Sequence, residues 1–324
     1  MESDMEKEEL LRIFPRKVRG IIEKIFPIVP VTEIRLRSGL PLCIGTETGS
    51  FFVKMDGTLG SRAENSFIIS PEDLTIVFER ISQYSVFAFK EDIGNGFITL
   101  KGGHRVGLCG QYFYDGERAG QLKNISSLNI RIAREVRDCA LPVLPWLFSG
   151  QRFCHTLLIS PPGVGKTTCL RDLIRLLSDG TKYFPGKNIS VVDERSEIGN
   201  RTREGMGFYL GSRTDLMDHC TKAEGMLMML RTMTPEILAA DEIGDKKDIE
   251  ALSYIRNCGC KLLMTAHGNS LKEFFCRPVI SDYLKENPFE RYIILEKKGR
   301  NRIMTVYNEK NESIFSAGED GHVF

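Results

Sequence analysis

The sequence lacks a hydrophobic run long enough to cross a bilayer. No apolar stretch among its 324 residues approaches the ~18 to 20 residues that a membrane-spanning helix requires. The first residues are acidic, with Glu2, Asp4 and Glu6, whereas a secretory signal begins with basic residues followed by an apolar stretch. We therefore expect a cytoplasmic protein without a membrane-spanning segment of its own.

The sequence also lacks an excess of either charge. Its 44 Lys and Arg residues nearly balance its 43 Asp and Glu residues, so the formal net charge is +1. Proteins that bind nucleic acid without sequence preference are usually far more basic. We therefore expect no nucleic-acid partner.

Cysteines are present, but they lack the spacing of a disulfide framework or a zinc site. The nine cysteines are an odd number, and no two of them form a C-x-x-C pair. Structural zinc sites usually need such pairs, often together with histidines at fixed spacing. We therefore expect reduced thiols in a reducing compartment.

The apolar pattern changes near Pro142 and the single tryptophan, Trp146. Before this point, short strand-like stretches surround one helix that begins after Ser70, which indicates a small α+β domain over residues 1–138. Beyond it, strands alternate with helices, which is typical of an α/β domain with a mainly parallel sheet, here residues 139–324. The strand-like stretches of the first domain are 31–37, 51–54, 96–101, 105–114 and 127–133.

A glycine-rich segment follows the first apolar strand of the second domain. Apolar residues 156–159 lead into it, and apolar residues at helical spacing, from Leu170 to Leu177, follow it. Strand, glycine-rich loop and helix in this order predict a phosphate-binding loop of the Walker A type. We name this segment the phosphate loop, and its residues are Ser160, Pro161, Pro162, Gly163, Val164, Gly165, Lys166, Thr167 and Thr168.

Each part of the phosphate loop has a predicted role in binding a nucleotide. Gly163 and Gly165 permit backbone conformations that turn several N–H groups toward one anion, at the positive end of the following helix. Lys166 would reach the β- and γ-phosphates, and the Thr167 hydroxyl would bind Mg²⁺. Ser160 replaces the first glycine of the motif, and a residue this small still lets the strand exit into the loop. We therefore expect ATP and Mg²⁺ as ligands.

A second apolar strand, residues 237–240, ends in the two acids Asp241 and Glu242. Asp241 is placed to hold Mg²⁺. Glu242 would orient or deprotonate the attacking water, because phosphoryl transfer needs a positioned nucleophile more than a strong base. The alternative interpretation is a helix N-terminus with two capping acids.

Two more strands end in polar residues that a parallel sheet would bring to the same edge. One is followed by Asp193 and Glu194, and the other by His267. Asp193, Glu194 and Glu242 are all candidates for the catalytic base, and the sequence leaves the choice among them open. His267 either contacts the γ-phosphate or polarises water, or it has a structural role at the strand end.

These motifs resemble those of the stage III sporulation protein AA family, which is related to the type II/type IV secretion and pilus-retraction ATPases. The resemblance covers nearly the whole chain. Residues 31–41 resemble the opening of the N-terminal domain in that superfamily, and residues 102–107 resemble the arginine-bearing strand that follows. Residues 193–197 are similar to its acidic Asp box, and residues 265–267 are similar to its His box.

The resemblance implies a RecA-like P-loop ATPase domain preceded by the smaller α+β domain. It also implies that the chain assembles as a homo-oligomeric ring, a hexamer. Such a ring would associate peripherally with membrane proteins of a sporulation channel complex, on the mother-cell side. There it would energise assembly of the channel, or transport through it, between mother cell and forespore.

The resemblance also points to two arginines outside the ATPase domain. The charge that develops on a transferred phosphoryl group is usually met by an arginine, and in ring ATPases a neighbouring chain often supplies it. Arg105 and Arg131 match, by resemblance, strands of the N-terminal domain that face the nucleotide of the adjacent subunit. The alternative is that both pair with acids of their own sheet.

A RecA-like or helicase-like motor on nucleic acid would share these motifs. Its candidate binding surface is the basic stretch 297–302, which lies between the strand-like runs 292–295 and 303–307. This position makes the stretch most simply a solvated hairpin turn. A scaffold that binds nucleotide without hydrolysing it is a third interpretation, against which the acid pair Asp241 and Glu242 argues.

Overall fold

The structure is a computed structural model of the chain. It describes residues 8–85, 89–94, 96–115, 118–133, 136–200, 207–276, 288–298 and 301–318. The chain divides into two compact units. The first spans Met1–Arg134, and the second spans Glu135–Asn200 and Phe208–Phe324.

The first unit is built on an antiparallel sheet with helices on one face. The seven strands described there follow the order β4-β3-β2-β1-β7-β6-β5. Their bounds are β1 Val31–Arg37, β2 Cys43–Thr46, β3 Gly49–Val53, β4 Leu59–Gly60, β5 Phe97–Thr99, β6 Arg105–Asp115 and β7 Arg118–Arg131. The helices are α1 Arg16–Ile25, α2 Pro71–Ile81 and α3 Lys90–Gly94.

Alternation along the strands gives this sheet one apolar and one polar face. In β1, Ile34 and Leu36 are fully buried, while the alternating charged residues Glu33, Arg35 and Arg37 lie on the other face. The buried residues form one core with the apolar sides of α1 and α2. Helix α2 begins as the sequence predicts, because Ser70 and Asp73 form a reciprocal capping box at its first turn. Among the described residues, the helices that contribute to this core therefore pack on the apolar face of the sheet.

The second unit contains a larger sheet whose described strands follow the order β12-β11-β13-β14-β10-β15-β16-β17. Neighbours from β12 to β15 are parallel, and β16 and β17 are added antiparallel. The bounds are β10 Thr156–Ser160, β11 Ile189–Asp193, β12 Thr214–Asp218, β13 Ile237–Ala240, β14 Lys261–His267, β15 Arg291–Lys298, β16 Asn301–Asn308 and β17 Ser313–Gly318. A short hairpin, β8 Phe148–Ser149 and β9 Arg152–Phe153, precedes the sheet.

Helices cover both faces of the parallel sheet. They are α4 Lys166–Asp179, α5 Lys222–Met233, α6 Lys246–Asn257 and α7 Leu271–Phe275. Helix α4 packs in one core on one face, while α5 and α6 pack in a second core on the other. Because parallel strands share a direction, the carboxyl ends of β10, β11, β13 and β14 lie at one edge of the sheet, together with the start of α4.

The chain segment before this sheet is fixed to α4 by a buried carboxylate. Asp172 is 3% exposed, and its two oxygens accept the backbone N–H groups of Asp138 and Ala140 at 3.1 and 2.9 Å. Arg175 contacts the same carboxylate at 2.7 Å. Residues 138–140 are therefore held on the surface of α4.

A membrane-spanning segment was not expected from the sequence. In the described part of the chain, no helix has the length and apolar character needed to cross a bilayer.

Candidate active site

The phosphate loop connects β10 to α4 in a conformation that depends on glycine. Gly163 has φ +75° and Gly165 has φ +114°, and L-residues rarely adopt such angles. Gly165 is the N-cap of α4, and the first turn of this helix contains no acidic residue. Pro162 and Gly163 are exposed to solvent. The loop therefore presents the positive end of a helix at an accessible position, which is suited to an anion.

Lys166 and Thr167 contact the acids that end β13. The Lys166 side chain is 6% exposed, and its Nζ donates to Asp241 Oδ1 at 3.0 Å and to Glu242 Oε1 at 3.3 Å. The Thr167 hydroxyl donates to the other oxygen of Asp241 at 2.8 Å. The fold thus brings together the two motifs that the sequence singled out separately.

Thr265, on β14 between the two motifs, organises these contacts. Its hydroxyl donates to Asp241, accepts from Lys166 Nζ at 3.2 Å, and accepts from the backbone N–H of Glu242 at 2.9 Å. Strand β14 lies between β10 and β13 in the sheet, so Thr265 is placed where it can reach both neighbours. Thr265 belongs to the segment similar to the His box, but no sequence pattern singled it out.

Asp241 is ionised at neutral pH. Burial raises its pKa, but the Lys166 charge and hydrogen bonds from Thr265, Lys166 and Thr167 outweigh this effect and leave the pKa below its ordinary value. A carboxylate and a hydroxyl are oxygen ligands of the kind that Mg²⁺ prefers. Among the described residues, no group of three or more His, Cys, Asp or Glu side chains is arranged to hold a metal ion. The pair Asp241 and Thr167 therefore fits an ion that takes its remaining ligands from phosphate and water.

Glu242 occupies the centre of a network of basic groups. Its carboxylate accepts from Lys166, from Arg195 Nη1 at 2.9 Å, and is 2.5 Å from His267 Nε2. Burial raises the pKa of Glu242, but Lys166 and His267 lower it below its ordinary value. The side chain is one quarter exposed. Glu242 is therefore an ionised, oriented carboxylate within reach of solvent.

Asp193, the last residue of β11, and Glu194, which follows it, lie in different environments. Asp193 is 2% exposed, and its oxygens accept the backbone N–H groups of Glu197, Ile198 and Gly199 at 2.8 to 2.9 Å. Burial raises the pKa of Asp193 despite these bonds. These three N–H groups belong to the loop that follows, so the Asp193 carboxylate holds that loop in place.

Glu194, in contrast, faces the acids of β13. It accepts from Lys222 Nζ at 2.6 Å and is more exposed than Asp193, although both acids line a small cavity with Asp241 and Glu242. The sequence could not separate Asp193 from Glu194, because the difference lies in the path of the backbone after β11.

Arg105 and Arg131 lie together in the first unit. They are directly opposite each other on β6 and β7, and both are exposed on the polar face of the sheet. Arg131 is also opposite Glu33 of β1, and the guanidinium of Arg105 stacks 3.6 Å from the ring centroid of Phe97. The sequence singled out both arginines but could not show that they are neighbours.

The basic stretch 297–302 contains a residue that the sequence analysis placed incorrectly. The predicted hairpin is confirmed, since β15 and β16 pair antiparallel on either side of it. However, Arg302 is half-buried and lies against Gly165 of the phosphate loop. The expectation of a wholly solvated turn was therefore wrong for this arginine, because the paired ends of β15 and β16 extend past the end of β10. Residues 299 and 300 of the predicted turn lie outside the described residues.

Solved structures show to which class this fold belongs. The pilus retraction motor PilT with bound ADP is 16% identical, with a TM-score of 0.56, and the match covers 90% of this chain and 82% of that chain. The ATPase DotB of Yersinia pseudotuberculosis is 15% identical, with a TM-score of 0.51, and the match covers 91% and 80%. At such identities the likeness shows the fold alone, which is the fold of pilus and secretion ATPases.

Sequence comparison gives the family within this class. The family described as sporulation stage III, protein AA matches residues 4–314. Stage III sporulation protein AA of Bacillus subtilis (strain 168) is 34% identical over 304 residues, covering 93% of this chain and 95% of that protein. The chain therefore belongs to the sporulation stage III protein AA family, as the sequence motifs predicted.

Proposed function

We propose that the chain is a Mg²⁺-dependent ATPase with a RecA-like P-loop domain. The observation that supports this most strongly is the meeting of Lys166 and Thr167 with Asp241 and Glu242 at one edge of a parallel sheet. A cation, a hydroxyl and two ionised carboxylates next to a helix N-terminus are the groups that phosphoryl transfer from ATP requires.

In this proposal, nucleotide phosphates replace the carboxylates as partners of Lys166. The ammonium is buried and bound to two acids, so a phosphate oxygen of the same charge can take their place without leaving it unpaired. Thr167 and Asp241 then hold Mg²⁺, which neutralises charge on the β- and γ-phosphates when it is bound. The other loop residues contribute backbone N–H groups to the phosphates.

Glu242 is the residue that we assign to the attacking water. The water oxygen forms a bond to the γ-phosphorus, the bond from phosphorus to the β-γ bridging oxygen breaks, and the water proton passes to a carboxylate. A carboxylate with a lowered pKa is a weak base, so Glu242 acts mainly by orienting the water. His267 holds Glu242 or contacts the γ-phosphate. Glu194 lines the same cavity and is the second candidate for the base.

We further propose that the protein acts as a homo-hexameric ring during sporulation. Family membership and the fold shared with the PilT motor support this role. The ring would lie in the cytoplasm on the mother-cell side, bound peripherally to membrane proteins of a channel complex. ATP hydrolysis would power assembly of this secretion-like channel, or transport through it, between mother cell and forespore. Arg105 and Arg131 would complete the site of a neighbouring subunit.

The direct test measures phosphate release from Mg-ATP by the purified chain. Light scattering on the same sample measures the molar mass of its oligomer. Lys166→Ala should abolish both nucleotide binding and hydrolysis, because the phosphates lose their main cation. Lys310→Ala removes an exposed lysine of the same unit and should change neither. Near-normal hydrolysis by Lys166→Ala would refute the assignment of the site. Strong, salt-sensitive stimulation by single-stranded DNA would instead support a nucleic-acid motor.

A further inference from the structure

Arg302 lies beside the phosphate loop at the start of β16. The register pairs Ile159 of β10 with Ile294 of β15, and Lys297 of β15 with Arg302. Arg302 is therefore beyond the carboxyl end of β10, at the level of the loop. A Cβ atom built on Gly165 would lie 3.5 Å from Arg302 Nε and 3.6 Å from its Cζ. The guanidinium thus lies close to the loop's last glycine, at the distance at which a Cβ atom there would be in van der Waals contact with it.

Packing of the adjacent residues fixes Arg302 in this position. Met304, two residues further along β16, has its sulfur 3.9 Å from the sulfur of Cys169. Cys169 follows Gly165 by one turn of α4, and Met304 follows Arg302 by two residues on the same face of β16. The contact between Met304 and Cys169 therefore places Arg302 next to Gly165. Both sulfur-containing side chains are buried in the core under α4. Arg302 is therefore held at the loop by the fold of its own chain.

The charges at this position are matched to an anion. A cation at a helix N-terminus faces the positive end of the helix dipole, which is unfavourable by itself. The first turn of α4 contains no acidic residue. Lys166 adds a second cation, whose carboxylate partners come from β13. A polyphosphate bound in the loop would reverse the sign of this interaction and make Arg302 a favourable neighbour.

The order of the strands indicates which part of a nucleotide reaches Arg302. Asp241 and Glu242 end β13, two strands to one side of β10, while Arg302 begins β16, two strands to the other side. The phosphate that is cleaved must face Glu242 and the metal-binding pair. The ADP portion therefore extends away from the acids, toward the side of the loop on which Arg302 lies.

We propose that Arg302 binds the phosphates of the ADP portion of the nucleotide in cis, within the subunit that holds them. This inference rests on the proposed ATPase function. The planar guanidinium donates several N–H groups in a fixed geometry that matches phosphate oxygens. The ligand is a nucleoside diphosphate or triphosphate, recognised by its α- and β-phosphates. Arg302 is thus a substrate-binding residue, distinct in position and effect from Arg105 and Arg131.

A contact with the ADP portion is present before, during and after cleavage of the γ-phosphate. Loss of this contact should weaken the binding of ATP and the binding of ADP to a similar extent. It should raise KM more than it lowers kcat. A residue that meets the charge developing on the γ-phosphate would behave in the opposite way, with a loss in kcat. The ratio of the two kinetic parameters therefore separates Arg302 from the predicted trans arginines.

The test compares Arg302→Ala, Arg302→Gln and Arg302→Lys with the unmodified full chain. Binding of Mg-ADP is measured by calorimetry, and binding of pyrophosphate is measured by competition with Mg-ADP. Loss of a charge-assisted hydrogen bond should lower the affinity for both ligands about 10- to 100-fold in the Ala and Gln variants. The affinity should recover in part in Arg302→Lys. The kcat for ATP should stay within roughly threefold.

Lys298→Ala is the matched control. It removes one positive charge from the same hairpin, at an exposed residue whose side chain lies on the opposite face from Arg302. It should leave both affinities unchanged. Circular dichroism checks that each variant is folded, and Arg302→Gln keeps most of the aliphatic stem should Arg302→Ala be unstable.

Three results would overturn the inference. Unchanged ADP affinity in folded Arg302→Ala and Arg302→Gln would remove Arg302 from the site. Weaker ADP binding with unchanged pyrophosphate binding would mean that Arg302 contacts the base or ribose instead. A fall in kcat without a change in KM would assign it to the transition state. The proposed function fails separately, if the unmodified chain binds neither ADP nor pyrophosphate.

Discussion

Glu242 adopts a backbone conformation that its own chemistry disfavours. Its φ is +56°, in the left-handed region, where a residue with a Cβ atom has a cost of roughly 1 kcal/mol. The surroundings compensate, because its N–H donates to Thr265 and its carboxylate is bound by Lys166. A strained residue held by several contacts has a defined orientation, which is what positioning of a water molecule requires.

We expect Glu242→Gln to bind ATP normally and to hydrolyse it at least ~10²-fold more slowly. The amide preserves the shape of the side chain, but it has no negative charge and has an N–H donor in place of one acceptor oxygen. It therefore orients the attacking water poorly and cannot take up its proton. Nucleotide binding is measured by calorimetry and turnover by phosphate release. Glu194→Gln is the companion variant, since Glu194 lines the same cavity. A normal rate in Glu242→Gln with a slow rate in Glu194→Gln would exchange their roles.

Asp193→Asn provides a contrast to Glu242→Gln. An asparagine retains one of the two oxygens that accept the three N–H groups of the following loop. We expect lower stability in urea but a smaller loss of turnover than in Glu242→Gln. A loss equal to that of Glu242→Gln, in a variant as stable as the parent, would make Asp193 the base.

At the scale of elements, the strands that support the site could be predicted from the sequence. Strand β13 coincides with the predicted apolar run before Asp241, and the predicted strand before the phosphate loop is β10, which extends by one residue to Ser160. Such strands are fully buried, so their apolar runs are continuous and their ends are marked by polar residues. The contacts of Thr265 and Arg302 could not be predicted, because they depend on strand order and register.

Helix α4 also supports the start of its unit through Asp172, and this element gives a testable stability difference. In Asp172→Ala, two backbone N–H groups and Arg175 lose their common acceptor in a buried position. We expect a loss of about 2 to 4 kcal/mol in the free energy of unfolding. Asp172→Asn keeps one acceptor oxygen and should lose less. Urea denaturation of the full chain measures both.

Asp138→Ala is the control for this prediction. It removes the other acid that contacts Arg175, but the Asp138 side chain is 62% exposed and its backbone N–H is retained. A surface ion pair contributes about 1 kcal/mol or less. Equal losses in Asp138→Ala and Asp172→Ala would show that the ion pairs, rather than the buried N–H acceptors, stabilise this segment.

At the scale of the whole molecule, each unit has its own core and its own set of charged residues. The second unit brings the phosphate loop and the acids together on one sheet edge. The first unit leaves Arg105 and Arg131 exposed on the polar face of its sheet. Sequence patterns predict a boundary between residues 138 and 139, because the apolar periodicity changes there. They could not identify the polar face as a single surface, since that follows from the pairing of distant strands.

The assembled protein provides a test of the two arginines of the first unit. If Arg105 and Arg131 serve a neighbouring subunit, Arg105→Ala and Arg131→Ala should bind ATP normally. Each should hydrolyse ATP at least ~10³-fold more slowly than the unmodified chain. Mixing either variant with inactive Lys166→Ala chains should restore part of the activity. A mixed interface then combines an intact phosphate loop from one subunit with an intact arginine from the other. A mixture of Arg105→Ala with Arg131→Ala chains, in which no subunit supplies both arginines, tests whether mixing alone affects the rate.

The readout is phosphate release at several mixing ratios, with mixed oligomers verified by light scattering and by differently tagged chains. Recovery should peak at intermediate ratios, because only interfaces between unlike chains are complete. Two results would contradict the assignment: arginine variants that no longer bind ATP, or mixed oligomers that recover no activity. Either would leave Arg131 as a partner of Glu33 on its own sheet and Arg105 as a residue stacked on Phe97.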